Sequence, residues 1–165
     1  MDVKLLVTDG NGTFAETVWA KPEITDTEIE VKAIMTGVCR SDIDMMTGQF
    51  GPLPIHMSGH EGLGQVTKIG EYVTDVNVGD IVATRGEPAY ADCYNVKRNE
   101  YVIVPEASPD YILEPVACGI NVVEQNLQQI QLRQGEGSRL LTKGSGFLAY
   151  CAYTTLQQRN VDFDI

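Results

Sequence analysis

The sequence predicts a mainly β fold with some α, in which a small barrel or sandwich is followed by the opening of a βαβ unit. Six or seven short apolar runs, separated by Gly, Pro, Asp and Asn, occupy residues 4–104. After Pro109 the apolar residues recur at steps of three and four, which is helical spacing. The change of period therefore marks the passage from a β region to a helical one.

Turn chemistry and alternation justify the strands of the β region. The motif Asp9-Gly10-Asn11-Gly12 tolerates positive φ and suits a hairpin. Residues 29–35 alternate between apolar and polar side chains, which predicts a strand with Glu30 and Lys32 on a solvated face. The pattern predicts a short helix at 41–47 and strands at residues 4–8, 13–19, 29–35, 64–69, 81–84, 90–96 and 101–104.

One long helix is expected after the β region, because a single apolar stripe runs from Val116 to Ile130. A polar connector at 131–138 should follow it. Residues 140–141 then read as the start of a strand, 147–159 as a helix and 163–165 as the start of a second strand. We therefore expect one domain over residues 1–134 and another from 135 to 165.

Composition and charge restrict the function classes. The 165 residues are 43% apolar, enough for a core, and the formal net charge is −11. Such a field repels phosphate backbones and anionic lipids, which disfavours nucleic-acid and membrane partners. The first residues lack a signal-peptide pattern, and the four cysteines are too widely spaced for a disulfide framework. We expect a cytoplasmic protein with reduced thiols.

Three side chains in the β region suggest a metal site. Cys39, His60 and Glu61 offer a thiolate, an imidazole and a carboxylate, which are the ligands that zinc binds in proteins, and a fourth position stays open for water or substrate. Taken one at a time, a cysteine is more often a small core residue and a histidine more often a hydrogen-bonding residue. Residue types alone leave these alternatives open.

Four ordered motifs resemble the catalytic domain of zinc-dependent medium-chain alcohol dehydrogenases. They are Cys39-Arg40-Ser41-Asp42, Gly59-His60-Glu61, Val78-Gly79-Asp80 and Glu114-Pro115, and the resemblance covers most of residues 1–130. It implies a GroES-like β-barrel for this region, followed by the opening βα unit of a truncated Rossmann-like domain. It also implies zinc and NAD(P) as cofactors and a small-molecule alcohol or carbonyl compound as substrate.

The resemblance implies roles for individual residues. Cys39 and His60 match zinc ligands, Glu61 matches a carboxylate beside the metal that binds it in some members, and Glu114 matches the third ligand position. Asp42 matches the carboxylate that accepts a hydrogen bond from the ligating imidazole; the alternative is a solvated acid on a short helix. Which of Glu61 and Glu114 completes the ligand set stays open.

Two residues between the ligands match catalytic and cofactor-binding positions. Ser41 matches the hydroxyl that passes the substrate's proton outward, with an N-cap as its alternative role. Arg40 matches a residue that faces the cofactor's pyrophosphate, with a surface cation as the alternative. Asp44 stands where several members have a relay histidine, and the four-cysteine lobe of a structural zinc is absent, so we expect one metal at most. The expected catalytic residues are Ser41, Asp42 and Glu61.

The motif Gly144-x-Gly146-x-x-Ala149 resembles the dinucleotide-binding fingerprint, in which glycines allow a tight turn and close approach of a pyrophosphate to a helix N-terminus. Thr142 and Lys143 depart from the apolar strand that should precede it. Because little more than a βα unit follows residue 135, NAD(P) binding by the isolated chain is expected to be weak.

The resemblance thus implies a zinc-dependent, NAD(P)-linked oxidoreductase of the alcohol or polyol dehydrogenase type, with activity reduced or lost if the chain is truncated. The alternative is a non-catalytic GroES-like module that binds zinc or a partner protein. Whether the chain forms a homo-oligomer is left open. Cys93 and Cys151 are expected in the core, Cys118 either in the core or near the cofactor, and His56 in a solvated loop.

Overall fold

The computed structural model describes residues 1–51, 54 and 57–165, so His56 lies outside the described residues. The fold is mainly β with some α, as predicted. Its helices are α1 (Arg40–Met46), α2 (Glu114–Glu124), α3 (Leu127–Gly135) and α4 (Phe147–Gln158), with a 3-10 turn at Pro109–Tyr111. Its strands are β1 (Asp2–Thr8), β2 (Phe14–Ala20), β3 (Glu28–Thr36), β4 (Gly62–Ile69), β5 (Ile81–Thr84), β6 (Cys93–Lys97) and β7 (Tyr101–Val104).

The strands form two antiparallel sheets. Strands β1 and β2 pair from Asp2↔Ala20 to Thr8↔Phe14, so the predicted hairpin is confirmed, with Gly10 and Gly12 at positive φ in its turn. The other five strands pair in the order β6-β3-β4-β5-β7. Register shifts on either side of residues 31–33 in β3 mark bulges, which increase the local bend of a strand.

The prediction of a single strand over residues 90–96 is wrong at its beginning. Residues 90–92 pair with β1 instead, through the bonds Leu6 N–H to Tyr90 O and Asp92 N–H to Lys4 O. The chain then joins the five-stranded sheet: the Asp92 carbonyl accepts from Ala33 N–H at 2.9 Å, and β6 pairs with β3 from Cys93 onwards. Residues 90–92 therefore connect the hairpin to the larger sheet.

The main core lies between the hairpin and the five-stranded sheet. Buried side chains from β1, β3, β4, β5 and β6 pack together, and Tyr94 is the largest side chain that is fully buried. Apolar burial on this scale is the main stabilising contribution to a fold of this kind. The fully buried apolar members of the core include Leu5, Ile29, Val31, Val66, Val82, Tyr94 and Val96.

The expectation that Glu30 faces solvent is wrong. Its side chain is buried, and its carboxylate lies 2.9 Å from the Lys21 ammonium, which is buried as well. Thr67 Oγ1 donates a second hydrogen bond to the carboxylate at 2.9 Å. Although burial alone would raise the pKa of Glu30, the hydrogen bonds and the nearby lysines outweigh it and lower the pKa. A paired charge can occupy a core position that the alternation rule assigns to the surface.

The chain divides into two compact units, Met1–Glu114 and Pro115–Ile165. The division lies earlier than the boundary predicted between residues 134 and 135. The physical reason is that the apolar stripe of α2 and α3 packs with the residues that follow it: Val123, Leu127 and Ile130 form one cluster with Leu156 and Val161.

The single long helix expected after Pro109 is interrupted, because α2 ends at Glu124 and α3 begins at Leu127. The side-chain amide of Asn126 donates to the Val122 carbonyl at 2.8 Å and so competes with the backbone bond that would continue the helix. The predicted polar connector is also shorter than expected, since α3 continues to Gly135. The hydrogen bond of the Asn126 side chain, rather than the apolar pattern, therefore sets the break between α2 and α3.

In the second unit, helix α4 matches the predicted helix over residues 147–159. A single parallel bridge joins Leu141 to Asp164, within the two segments where the starts of strands were expected. The Asp164 backbone also bonds to Thr142 and Leu140, and its carboxylate lies 2.6 Å from Arg139. In the part of the chain described, no helix combines the length and apolar character needed to cross a bilayer.

Candidate metal centre

The end of β3 and the start of α1 position Cys39. Strand β3 ends at Thr36, and Cys39 is the N-cap residue of α1 in an extended conformation. The Cys39 backbone N–H donates to Asp42 Oδ2 at 2.7 Å, in the manner of an acidic residue that closes the first turn of a helix. The thiol is therefore attached to a backbone that is fixed on both sides.

His60 and Glu61 lie immediately before β4. The Glu61 carbonyl accepts hydrogen bonds from Gly37 N–H at 2.8 Å and from the Thr36 hydroxyl at 3.2 Å, which join it to the end of β3. Gly37 has to lack a side chain, because a Cβ there would lie 2.0 Å from Glu61 Oε2. The strand pairing thus brings the residues after β3 against the residues before β4.

The three predicted donors converge. One ligand atom from each of Cys39, His60 and Glu61 lies within 4.8 Å of the other two, and Glu61 is buried while the other two side chains are partly buried. Among the described residues, this is the group of Cys, His, Asp and Glu side chains with metal-site spacing. Thiolate, imidazole and carboxylate form a donor set that fits zinc, so the residues present suit the metal that the resemblance implies.

The electrostatic environment of Glu61 is unfavourable for a carboxylate without a cation. Burial raises its pKa, and the negative charge of Glu114 raises it further, although His60 acts in the opposite direction. A divalent cation between these groups would relieve both effects, because an opposite charge at short range favours the ionised carboxylate. A bound cation would therefore stabilise the ionised form of Glu61.

Asp42 is buried, with 1% of its surface exposed, so its interpretation as a solvated acid is wrong. Its Oδ2 accepts two hydrogen bonds, from Cys39 N–H at 2.7 Å and from the Tyr90 hydroxyl at 2.9 Å. Its Oδ1 is buried without a hydrogen bond and lies 3.8 Å from His60 Nδ1. The carboxylate thus directs its one remaining acceptor towards the imidazole.

The other predicted site residues near this centre take different positions. Ser41 is the second residue of α1, so its alternative role as an N-cap is wrong. Arg40 is exposed and lies 2.9 Å from Asp44, one turn further along the helix. Glu114 is buried, and Arg85 lies 3.9 Å from it, but it is not a member of the group that contains Glu61.

The glycine motif of the second unit forms a loop at a helix N-terminus. Gly146 is the N-cap of α4, and Gly144 has a φ of +149°, a conformation that side chains rarely adopt. A Cβ on Gly144 would lie 3.1 Å from the Ala149 side chain, and the Tyr153 hydroxyl donates to the Gly144 carbonyl at 2.7 Å. The glycine turn and the helix follow in the predicted order, and an isolated bridge at Leu141 stands where a strand was predicted.

The remaining cysteine predictions have mixed outcomes. Cys93 and Cys151 are buried in β6 and α4, as expected. Cys118 is exposed on α2, so its interpretation as a core residue is wrong. Sequence reasoning also missed Tyr90, which contacts Asp42 from 48 positions along the chain; no local pattern could have indicated that contact.

Comparison with known proteins agrees with the fold. A family model described as the alcohol dehydrogenase GroES-like domain matches residues 25–161. Sorbitol dehydrogenase of Bombyx mori is 37% identical over 89 residues, which are 52% of this chain and 26% of that protein. S-(hydroxymethyl)glutathione dehydrogenase of Candida maltosa is 31% identical over 146 residues, 84% of this chain and 32% of that protein.

Solved structures share the fold at lower identity. Cinnamyl alcohol dehydrogenase from Sorghum bicolor matches with a TM-score of 0.70 and 18% identity, over 98% of this chain and 57% of that one. Galactitol-1-phosphate dehydrogenase from Escherichia coli matches with a TM-score of 0.65 and 24% identity, over 90% and 51% of the two chains. At these identities the likeness concerns the fold alone.

The chain belongs to the alcohol dehydrogenase GroES-like domain family, within the medium-chain dehydrogenases and reductases. The predicted family and its GroES-like fold are thereby confirmed. The chain spans about a fifth to a third of the length of the curated relatives it matches, and a little over half of the solved structures.

Proposed function

We propose that this chain carries the zinc-binding part of an NAD(P)-linked oxidoreductase that acts on alcohols or polyols and on the corresponding carbonyl compounds. The observation that supports this most directly is the convergence of ligand atoms from Cys39, His60 and Glu61 within 4.8 Å. Curated relatives named sorbitol dehydrogenase and S-(hydroxymethyl)glutathione dehydrogenase support the substrate class.

Cys39, His60 and Glu61 would hold the metal, with a fourth position left for substrate or water. Zinc supplies a Lewis acid that favours loss of the proton from an alcohol and polarises a carbonyl group. Because Nδ1 of His60 faces Asp42, Nε2 is the nitrogen left for ligation, and an N–H at Nδ1 would donate to the carboxylate. Glu114 lies close enough to add negative charge beside Glu61, so it is the alternative candidate for the third ligand.

Ser41 is proposed to pass a proton between substrate and solvent, and its partly buried position in the first turn of α1, next to Cys39 at the N-cap, supports this role. Arg40 on the same turn supplies a positive charge for the cofactor's pyrophosphate. In the structure this arginine is paired with Asp44, so cofactor binding would have to compete with that pair. Because this exposed ion pair contributes little stability by itself, breaking it would cost little free energy.

Gly144, Gly146 and Ala149 are proposed to contact the dinucleotide. The backbone N–H groups at the start of α4 are available to an anion, and a helix of 12 residues adds the partial positive charge of its N-terminus. The choice between NAD and NADP is set by groups that contact the ribose. Asp164 lies 20 positions after Gly144 in the sequence, and its carboxylate is paired with Arg139.

A second candidate function is a non-catalytic module that binds zinc or a partner. It is favoured by the weak β structure of the second unit, where the described residues form a single parallel bridge. A dinucleotide crevice needs at least a complete βαβαβ arrangement. The two candidates share the metal site and differ in cofactor competence.

Metal analysis and cofactor titration of the purified chain test the proposal. We expect one zinc per chain and a weak quenching or shift of NADH or NADPH fluorescence on titration, with oxidation of a polyol such as sorbitol reduced or lost if the chain is truncated. One zinc per chain without any change in NADH or NADPH fluorescence would favour the binding module. Absence of stoichiometric zinc after loading and desalting would overturn the zinc-dependent oxidoreductase and the zinc-binding module alike, and would leave only a partner-binding module.

A further inference from the structure

Tyr90 lies between the two segments that carry the candidate ligands. It is in the short connection that pairs with β1, where its carbonyl accepts from Leu6 N–H at 3.2 Å. Its own N–H donates to the Ser58 carbonyl at 3.1 Å, two residues before His60. The tyrosine backbone is thus held by the hairpin on one side and by the His60 loop on the other.

The Tyr90 hydroxyl fixes the orientation of Asp42. It donates to Oδ2 at 2.9 Å, the same oxygen that accepts from Cys39 N–H at 2.7 Å. With two donors on Oδ2 and none on Oδ1, rotation of the carboxylate would break two hydrogen bonds. The unbonded Oδ1 is therefore kept facing His60 Nδ1, 3.8 Å away.

The Tyr90 ring supports the backbone beside His60. A Cβ on Gly59 would lie 2.5 Å from the ring, so the ring fits against this loop only because residue 59 is glycine, at a φ of +73°. Phe14 from β2 packs edge-on against the same ring, with centroids 6.0 Å apart and an interplanar angle of 81°. One side chain therefore contacts both the acid behind the imidazole and the loop that carries the imidazole.

We propose that Tyr90 is a positioning residue of the metal centre, which acts through Asp42 to fix the orientation and tautomer of the His60 ring. The proposal rests on the proposed zinc site. A residue that hydrogen-bonds to a metal ligand and orients it changes the metal affinity without contacting the metal itself. The Tyr90 hydroxyl contacts Asp42 and not His60. It therefore restrains the carboxylate directly and the imidazole only through the carboxylate.

The test compares Tyr90→Phe with Tyr101→Phe in the full chain. Tyr101 is a matched control, because its hydroxyl also donates to a carboxylate, Asp75, at 2.9 Å, and neither residue belongs to the ligand group. Zinc affinity is measured by competition with a chromophoric chelator. We expect Tyr90→Phe to weaken it about tenfold, at the lower end of the range for supporting groups, and Tyr101→Phe to leave it unchanged.

Two further measurements separate positioning from general stability. The visible absorption of the Co²⁺-loaded chain should change in Tyr90→Phe, because cobalt bands report ligand geometry, and should not change in Tyr101→Phe. In an Asp42→Asn background the loss caused by Tyr90→Phe should shrink, since the tyrosine acts through the charged carboxylate.

Each failure has a distinct meaning. Wild-type chain that binds no zinc overturns the proposed function itself. Wild-type chain that binds zinc, beside a Tyr90→Phe variant of equal affinity and unchanged cobalt spectrum, overturns the role of Tyr90 and leaves the metal site standing. The role is also overturned if Tyr90→Phe only lowers the thermal unfolding temperature of the metal-free chain, or if its effect is undiminished beside Asp42→Asn.

Discussion

The metal centre and the glycine loop of α4 are built in different ways. The candidate ligands come from two segments that are joined by contacts far apart in sequence: Gly37 N–H to the Glu61 carbonyl and the Tyr90 hydroxyl to Asp42. Asp42 and Glu61 are buried. The glycine loop is exposed from Gly144 to Gly146, and its bonds are local, as in the Tyr153 hydroxyl to the Gly144 carbonyl.

The two sites therefore differ in how far they are ordered before a ligand binds. A site held by buried contacts from several elements keeps its geometry before the ligand arrives, so less binding free energy is lost in ordering it. An exposed loop with local bonds has to be ordered by its ligand. We therefore expect this chain to bind the metal more tightly than it binds the dinucleotide.

The largest effect is expected from removal of the thiolate. Cys39→Ala removes one of three protein ligands, so zinc affinity should fall by more than the roughly 100-fold that marks the upper range for supporting groups. Metal analysis after dialysis should find almost no zinc. Cys93→Ala is the matched control, since its thiol is buried in β6 outside the ligand group. Stoichiometric zinc in Cys39→Ala would remove the basis of the comparison.

The next largest effect distinguishes the two candidate carboxylates. Glu61→Gln replaces a charged donor of the ligand group by a neutral amide and should cost about 100-fold in zinc affinity. Glu114→Gln should cost far less, because that buried carboxylate lies outside the group. Parallel chelator titrations of the two variants measure the difference. The reverse order of affinities would assign the third ligand position to Glu114.

A smaller effect should follow from weakening the support behind His60. Asp42→Asn keeps an acceptor for Cys39 N–H but loses the charge that faces Nδ1, so zinc affinity should fall about 10- to 100-fold. Asp44→Asn serves as control, because Asp44 lies on the same helix and pairs with Arg40 near the surface. If both variants bound zinc equally well, preorganisation through Asp42 would have to be abandoned.

The sequence predicted the parts of this picture that depend on local pattern. The hairpin turn, the strands at 81–84 and 101–104 and the helix after Gly146 follow from turn residues and periodicity, and Cys39, His60 and Glu61 follow from ordered motifs. What it could not give depends on pairing across the chain. Buried Glu30 is explained by Lys21 and the distant contact of buried Asp42 by Tyr90, and neither of these contacts leaves a local signal.

The last effect concerns the stability of the second unit rather than zinc affinity, and it tests how tightly α2 and α4 pack. Gly119→Ala would place a Cβ 2.5 Å from Cys151 Cβ, so one helix has to move, which should destabilise the pair by about 1–3 kcal/mol. Gly135→Ala is the matched control: nothing lies within 4 Å of its Cβ position, and alanine near a helix end should be neutral or stabilise by up to about 1 kcal/mol. Hydrogen exchange of the α2 and α4 amides measures both changes. Equal protection of these amides in the two variants would mean that the second unit accommodates the added methyl group by local repacking. The difference in preorganisation between the second unit and the metal centre would then be larger than proposed.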